Sequence, residues 1–473
     1  MATKTLDKAL PGTQVTVNDK GLAISPEVAG KKLTIMGTTT NDVLTLREPT
    51  RIRDAKRIAT ALDHGDGRPS ELSLAVEAAL RAGAENIEVI KIADASGEDI
   101  DNYSPEDRFD ALEEAYDVLK VVPVDVVVPV GAKFDVLPTG VNSNGTTRKA
   151  FWKQLGDFCY QSTKEANSVI GVIATRTPSE HAYNQSLSGA PTGEAGWLFD
   201  TPAIAHITDW SNYLQALGGY SAEHFTDYLA GSNETSPGVL DSNYDGWARD
   251  TGGTIAVDEK GNNVDGGARI SVVAVAARIR HDRVRTLGNK LGLSAQTDMN
   301  TDGAVEYGAI LTRLPAEVGA TNKTIPGVFA ARQLSASMAK NLMNFRYVTM
   351  VDRNLGYVVV KDVTGAHYAS NETKSDFVLT QVVRIVDEAI DIVREAGEEF
   401  ISKPLNAANI GAMDNALRES LKGMQRAGAL KRFDLGILAD ADAQALGELN
   451  IDLTLVPAVE LIQINTTLSL AKE

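Results

Sequence analysis

Between residues 377 and 396, Val378, Val382, Val386, Ala389, Ile390 and Val393 recur at spacings of three and four, the stripe of an amphipathic helix. Gly397 is placed to end it. After Pro404 the pattern repeats with Ile410, Met413, Leu417, Leu421 and Met424, and Gly428 supplies the stop. Two such helices need a sheet, or each other, to bury their stripes. The strands on offer run 433–438, 450–456 and 459–470. In the last of these Ile462, Ile464, Leu468 and Leu470 alternate with Gln463, Thr467 and Ser469, a half-buried pattern, and only Ala471, Lys472 and Glu473 follow. Such a strand fits two readings: an ordinary edge of its own domain, or a strand that pairs with a neighbour's sheet.

The other end of the chain is polar. Residues 1–30 carry Pro11, Gly12, Gly21, Pro26 and Gly30, with Val15 and Val17 alternating with Thr16 and Asn18. A leader, a strand of the first domain and an exchanged arm all fit. From Lys32 the rhythm becomes strand–helix: a strand at 33–36, then a helix at 71–82 with Leu72, Ala75, Val76, Ala79 and Leu80 inward and Gly83 as stop. A strand at 87–92 is followed by a helix that opens on Ser104 and Pro105 and runs to 119. The continuous apolar run 124–130 reads as a strand buried on both faces, and a helix at 147–166 and a strand at 169–175 complete the series. This alternation predicts an α/β fold with a mostly parallel sheet layer.

Residues 176–267 are richer in Gly, Ser, Asn and Pro, with one helix at 203–217 and a hairpin near 254–264, and read as an inserted lobe. A core strand at 268–277, a loop-rich stretch at 288–327, a helix at 329–342 and strands at 347–351 and 356–363 follow. The predicted division is an extended arm (1–30), a first α/β part (31–175), the surface lobe (176–267), the α/β return (268–344) and a C-terminal α+β module (345–473).

At 473 residues the chain exceeds one core, and 43% hydrophobic with 23% charged residues is globular composition. A net charge of −17 argues against nucleic-acid binding and against docking on anionic membranes. The single cysteine, Cys159, leaves no partner for an intramolecular disulfide and predicts folding in a reducing compartment. No signal-like or membrane-spanning apolar run is present, so the expectation is a chain made in the cytoplasm without membrane insertion.

Candidate chemistry is sparse. The six histidines have no metal-ligand spacing, and neither phosphate-binding glycine loops nor a Gly-x-Ser-x-Gly elbow occurs. Residues 298–303 match the opening of a calcium loop, but Ala309 stands where the closing acid belongs; an Asx-rich turn is the simpler reading. The acidic residues of 63–67 read as a loop. The pattern predicts no catalytic residue, cofactor or metal. On the second C-terminal helix Arg418, Lys422 and Arg426 recur every four residues, with Lys431 and Arg432 close behind. That basic stripe fits either a solvated face or a contact with an acidic partner.

The C-terminal part resembles the contractile tail sheath proteins of myovirus-type bacteriophages and related contractile injection systems. The resemblance rests on the strand Tyr357-Val358-Val359-Val360, the helix Val382-Val383-Arg384-Ile385-Val386, the helix end Arg426-Ala427-Gly428-Ala429-Leu430 with Phe433, and residues 452–462 with the closing strand to Leu468. Residues 71–92 and 273–283 are similar to the family's α/β part. The resemblance implies a virion structural protein, not an enzyme. It would be made in the host cytoplasm, stacked as hexameric rings around the tail tube, and in contact with baseplate and tail terminator proteins. It also implies N- and C-terminal strands exchanged between subunits, here Val15, Val17, Ile462, Ile464, Thr466, Leu468 and Leu470, and a tube-facing stripe of Arg418, Lys422 and Arg426. The competing expectation is an α/β hydrolase or ligand-binding protein with a loop-borne acidic site at 63–67 or 298–303; a baseplate or tube protein is a third.

Overall fold

The computed structural model describes residues 31–52, 55–65, 70–93, 105–134, 149, 151–164, 167–175, 266–274, 277–280, 298–301, 303–330, 339, 342–343, 347–353, 356–366, 376–401, 403–438 and 449–459. The main sheet contains β1 (Leu33–Gly37), β2 (Thr50–Ile52), β3 (Ile87–Lys91), β4 (Val126–Pro129), β5 (Ile170–Ala174) and β6 (Ile270–Val273), in the order β2-β3-β1-β4-β5-β6. Five strands are parallel, and β2 closes one edge antiparallel to β3. The expected mostly parallel layer is therefore present, and its parallel strands follow the doubly wound order 2-1-3-4-5. The predicted lobe lies in the connection between β5 and β6, which are adjacent and parallel; residues 176–265 fall outside the described residues.

Strand alternation sorts the core into two layers. On one face Leu33, Ile35, Val126 and Val128 pack against α2 (Glu71–Ala82) and α5 (Ala304–Arg313). On the other, Met36, Ile90, Val127 and Ile173 meet α3 (Pro105–Leu119) and α4 (Phe151–Lys164), where Phe109 stacks on Phe151 at 3.8 Å between ring centroids. Ahead of α2 runs a short α1 (Ala55–Ala61). The stop at Gly83 is confirmed: it adopts φ +93 and returns its N–H to the last turn of α2.

Several sequence expectations are corrected. The loop-rich stretch contains α5, whose first nine residues are all buried. A helix buried all round carries no polar face, so its periodicity is silent. Gly308 lets it touch the sheet, since a Cβ there would fall 2.9 Å from a Val128 methyl. Neither the calcium loop nor the Asx-rich turn read at 298–303 is the backbone conformation found, because Asp298–Thr301 is strand β8, paired antiparallel with β7 (Ala277–Arg280). Phe329 and Ala330 form a strand, β10 (Phe329–Ala330), beside β7 where the helix was expected to begin, and Ala339, Leu342 and Met343 further along are helical. β9 (Thr324–Ile325), β11 (Thr349–Arg353) and β12 (Gly356–Lys361) form a further antiparallel sheet against the same core.

The chain then enters α6 (Thr380–Glu398), α7 (Ala407–Ala427), β13 (Leu430–Leu438) and β14 (Asn450–Pro457). Gly397 does not end α6, which runs one residue beyond it before a non-glycine cap. Asn406 caps α7 by accepting from the Asn409 N–H, and Gly428 ends it at φ +88 as expected.

Candidate assembly interface

In a sheet of this order the natural ligand crevice lies beyond the carboxyl ends of β1 and β4. Here the chain fills it. Glu71, at the first position of α2, accepts from Thr38 Oγ1 at 3.0 Å and from Arg108 Nη1 at 3.1 Å. Arg108 also donates to the Val130 carbonyl at 2.9 Å. Gly131 at φ +74 makes room, because any Cβ would fall on the Glu71–Arg108 pair. The N-terminus of α2 is already satisfied by a capping box between Ser70 and Ser73. The acidic loop is likewise structural where it is described. Asp63 and His64 are buried, the Asp63 carbonyl accepts from Asn41 at 2.8 Å, and His64 Nδ1 accepts the Thr40 N–H at 3.2 Å. Burial pushes the Cys159 thiol and the Tyr116 and Tyr307 phenols up, away from nucleophilic or acid–base use. Among the described residues no three His, Cys, Asp or Glu side chains are grouped to hold a metal, and no helix is long and apolar enough to cross a membrane.

The remaining surface feature is the C-terminal module. Its anchor is the first half of α6, which polar contacts fasten to the α/β body. Asp387 receives Arg269 at 2.5 and 2.6 Å. Thr380 Oγ1 lies 3.2 Å from Ser271 Oγ and 3.3 Å from Tyr307 Oη, and Tyr307 donates in turn to Asp362. Arg384, only 1% exposed, donates to the carbonyl of Leu314, the residue that caps α5, and at 3.1 Å to that of Val318 in the loop beyond. Sequence reading missed these residues because Arg384 and Asp387 sit among valines and isoleucines without breaking the helical period. The first turns of α6 are buried on every side, so these two charges, which lie off the apolar stripe, leave no mark in the residue spacing.

From this anchor hang α7 and the two-stranded sheet. Leu417, Leu421 and Met424 of α7 pack with Leu435, Phe433 and Leu453 of the hairpin. Leu430–Leu438 and Asn450–Pro457 pair antiparallel, from Leu430↔Pro457 to Leu438↔Asn450, and among the described residues no third strand flanks either of them. Among the described residues the outer edge of each strand is therefore unpaired with any further strand, the geometry that accepts an added one. The strand residues expected to be exchanged, Val15, Val17, Ile462, Ile464, Thr466, Leu468 and Leu470, lie outside the described residues.

The basic stripe is placed on one side of α7, but its members differ. Arg418 is held within the module, donating to Asp414 at 2.9 Å and to the Leu435 carbonyl at 2.6 Å. Lys422 and Arg426 both reach Glu419, at 2.8 and 3.3 Å, and Lys422 holds that carboxyl below its usual range. Their side chains are 51% and 72% exposed.

No family profile matches this sequence, and no curated protein matches it. Solved structures do. A chain of the anti-feeding prophage baseplate matches 98% of this chain and 100% of its own length, at a TM-score of 0.55 and 10% identity. The anti-feeding prophage helical sheath in its contracted state matches at a TM-score of 0.54 and 11% identity, over 98% of this chain and 99% of that one. The contracted sheath complex of an extracellular contractile injection system, PVC, matches at 0.56 and 9%, over 98% of each. This is the fold of contractile sheath chains. The sheath fold accounts for the α/β body and the helix–hairpin module as parts of one architecture, and nothing in these likenesses points to a hydrolase.

Proposed function

We propose that this chain is the structural subunit of a contractile sheath, polymerising as stacked rings around an inner tube and driving that tube forward when the lattice shortens. The observation that carries the reading is the likeness to two contracted sheaths across 98% of this chain and nearly all of theirs. The hairpin supports it, because a two-stranded sheet with no third strand among the described residues is suited to receiving strands from neighbouring copies. On this reading Val15, Val17 and residues 462–470 supply those strands. The links would hold while subunits rotate between two packings, so that work comes from re-stacking a bistable lattice. Baseplate and terminator proteins would cap the polymer, in a tail-like particle assembled in the host cytoplasm, with residues 176–267 as a surface lobe.

Lys422 and Arg426 face the tube in this proposal, with Arg418 orienting the helix that carries them. Each exposed charge contributes below ~1 kcal/mol, but repetition over many subunits is enough to template assembly. Electron microscopy of the purified chain tests the function: rings or tubes about 200 Å wide are expected, and monodisperse small particles under all assembly conditions would contradict it. Lys422→Glu with Arg426→Glu is expected to leave the fold intact and abolish assembly templated by an acidic tube; unchanged templating would remove the tube-facing role.

A further inference from the structure

The two edges of the β13–β14 sheet are not equivalent. In an antiparallel pair, facing residues alternately aim their backbone groups at the partner strand and away from it. The Ala458 N–H bonds the Ala429 carbonyl at 2.8 Å, which makes the adjoining Leu430↔Pro457 pair one whose groups point outward. Proline, with no N–H to offer the ladder, suits that place. Counting back from Pro457, the outward residues of β14 are Leu455, Leu453 and Ile451, and their partners Phe433, Leu435 and Ile437 are outward on β13.

Side chains of α7 occupy the edge of β13. Arg418 Nη2 donates to the outward carbonyl of Leu435 at 2.6 Å. Gln425 Nε2 donates at 2.9 Å to the carbonyl of Lys431, the extra residue of the bulge between Leu430 and Arg432. A strand added there has to displace both donors, one of them charged. Among the described residues nothing bonds the outward groups of Ile451, Leu453 and Leu455. The side chains of these three are only half-buried, whereas Leu435 is 3% exposed. Ile451 also lines an open apolar groove of about 910 Å³ with Phe400 and Ile401, so further apolar surface adjoins this edge.

The sequence after β14 does not favour a tight return onto it. Pro457 is followed by Ala458-Val459-Glu460-Leu461-Ile462-Gln463-Ile464, and Ala458 still continues the ladder with Ala429. Tight hairpin turns call for Gly, Asn or Asp, and the first of these after Pro457 is Asn465. A turn at Asn465 would pair the tail with residues 458–464, leaving β14 uncovered.

We propose that β14, and not β13, is the receiving edge of the module, and that its occupant is one extended strand of a second copy of this chain. The strand bonds the backbone of Ile451, Leu453 and Leu455 and covers their half-buried row with apolar side chains at alternate positions. Arg418 and Gln425 close β13 against a strand on the other side. The sheet then grows in one direction, and any further strand pairs on the one just added. The identity of the partner rests on the sheath reading; the choice of edge does not.

The test is amide exchange in the full chain, resolved by residue and followed across protein concentration, with electron microscopy of the same samples. The proposal expects the amides of Ile451, Leu453 and Leu455 to slow by about a hundredfold as copies associate, and those of Phe433, Leu435 and Ile437 to keep their rates. Slowing at β14 without rings or tubes would sustain the edge and count against the sheath reading; tubes with β14 unprotected would sustain the sheath reading and overturn the edge. Slowing on β13, no concentration-dependent slowing on either strand, or full protection of β14 at the lowest concentration, the mark of the chain's own tail, each overturns the proposal. Arg418→Ala with Gln425→Ala, in a chain of unchanged circular dichroism, is expected to extend the slowing to Phe433, Leu435 and Ile437. Slowing still confined to β14 would overturn the closing role of these two side chains.

Discussion

Arg269 and Asp387 form a pair whose side chains are 13% and 4% exposed, joining the start of β6 to α6. Removing one member leaves the other charged and buried, which costs about 3–5 kcal/mol. Arg269→Met is therefore expected to lower stability by that order in urea unfolding, and Arg269→Met with Asp387→Leu to recover much of it; additive losses would show that the pair does not act as a unit. A second residue prediction concerns pH. Burial raises the carboxyls of Glu388 and Asp391 above their ordinary range. The folded state therefore holds protons that the unfolded chain releases. Their unfavourable contribution is present at neutral pH, is relieved as pH falls through the raised values, and is gone below the usual carboxylate range. Glu388→Gln should raise the midpoint of thermal unfolding at pH 7 and change it little at pH 4, as read by calorimetry. None of this was legible from sequence, because a charge off the apolar stripe looks like any solvated helix position until its partner, 118 residues away, is known.

At the scale of elements, the sequence signal was strongest where a face is half buried. α7 and the second half of α6 have one apolar and one more exposed face, and their stripes were readable from residue spacing alone, whereas residues 380–385 at the start of α6 are buried on every side. α5 was lost for the opposite reason, being buried almost all round. Gly397 misled because a glycine near a helix end is only a stop when the backbone turns left-handed, and it stays helical here while Gly428 does turn. The β7–β8 pairing was hidden because Asp298-Met299-Asn300-Thr301 is polar and turn-like, and only its partner strand makes it extended. Leu417 is fully buried between α7 and the hairpin. Leu417→Ala is expected to cost about 2–5 kcal/mol and to loosen the hairpin, measurable as faster amide exchange in 430–438; unchanged exchange there would mean that the hairpin does not depend on α7.

For the whole molecule, the sequence showed the parallel layer and the two-helix module. The candidate interface was legible only in outline. The hairpin edges and the basic stripe could be placed, but the groove beside Phe400 and the crevice plugged by Glu71 and Arg108 arise from residues far apart in the chain. The account's central claim is that assembly proceeds by lending terminal strands to the next copy. Its most direct test is the chain lacking residues 462–473, compared with the full chain by sedimentation and electron microscopy. The account predicts a folded, soluble subunit with an unchanged circular dichroism spectrum that forms no rings or tubes; tubes from the truncated chain indistinguishable from those of the full chain would contradict it.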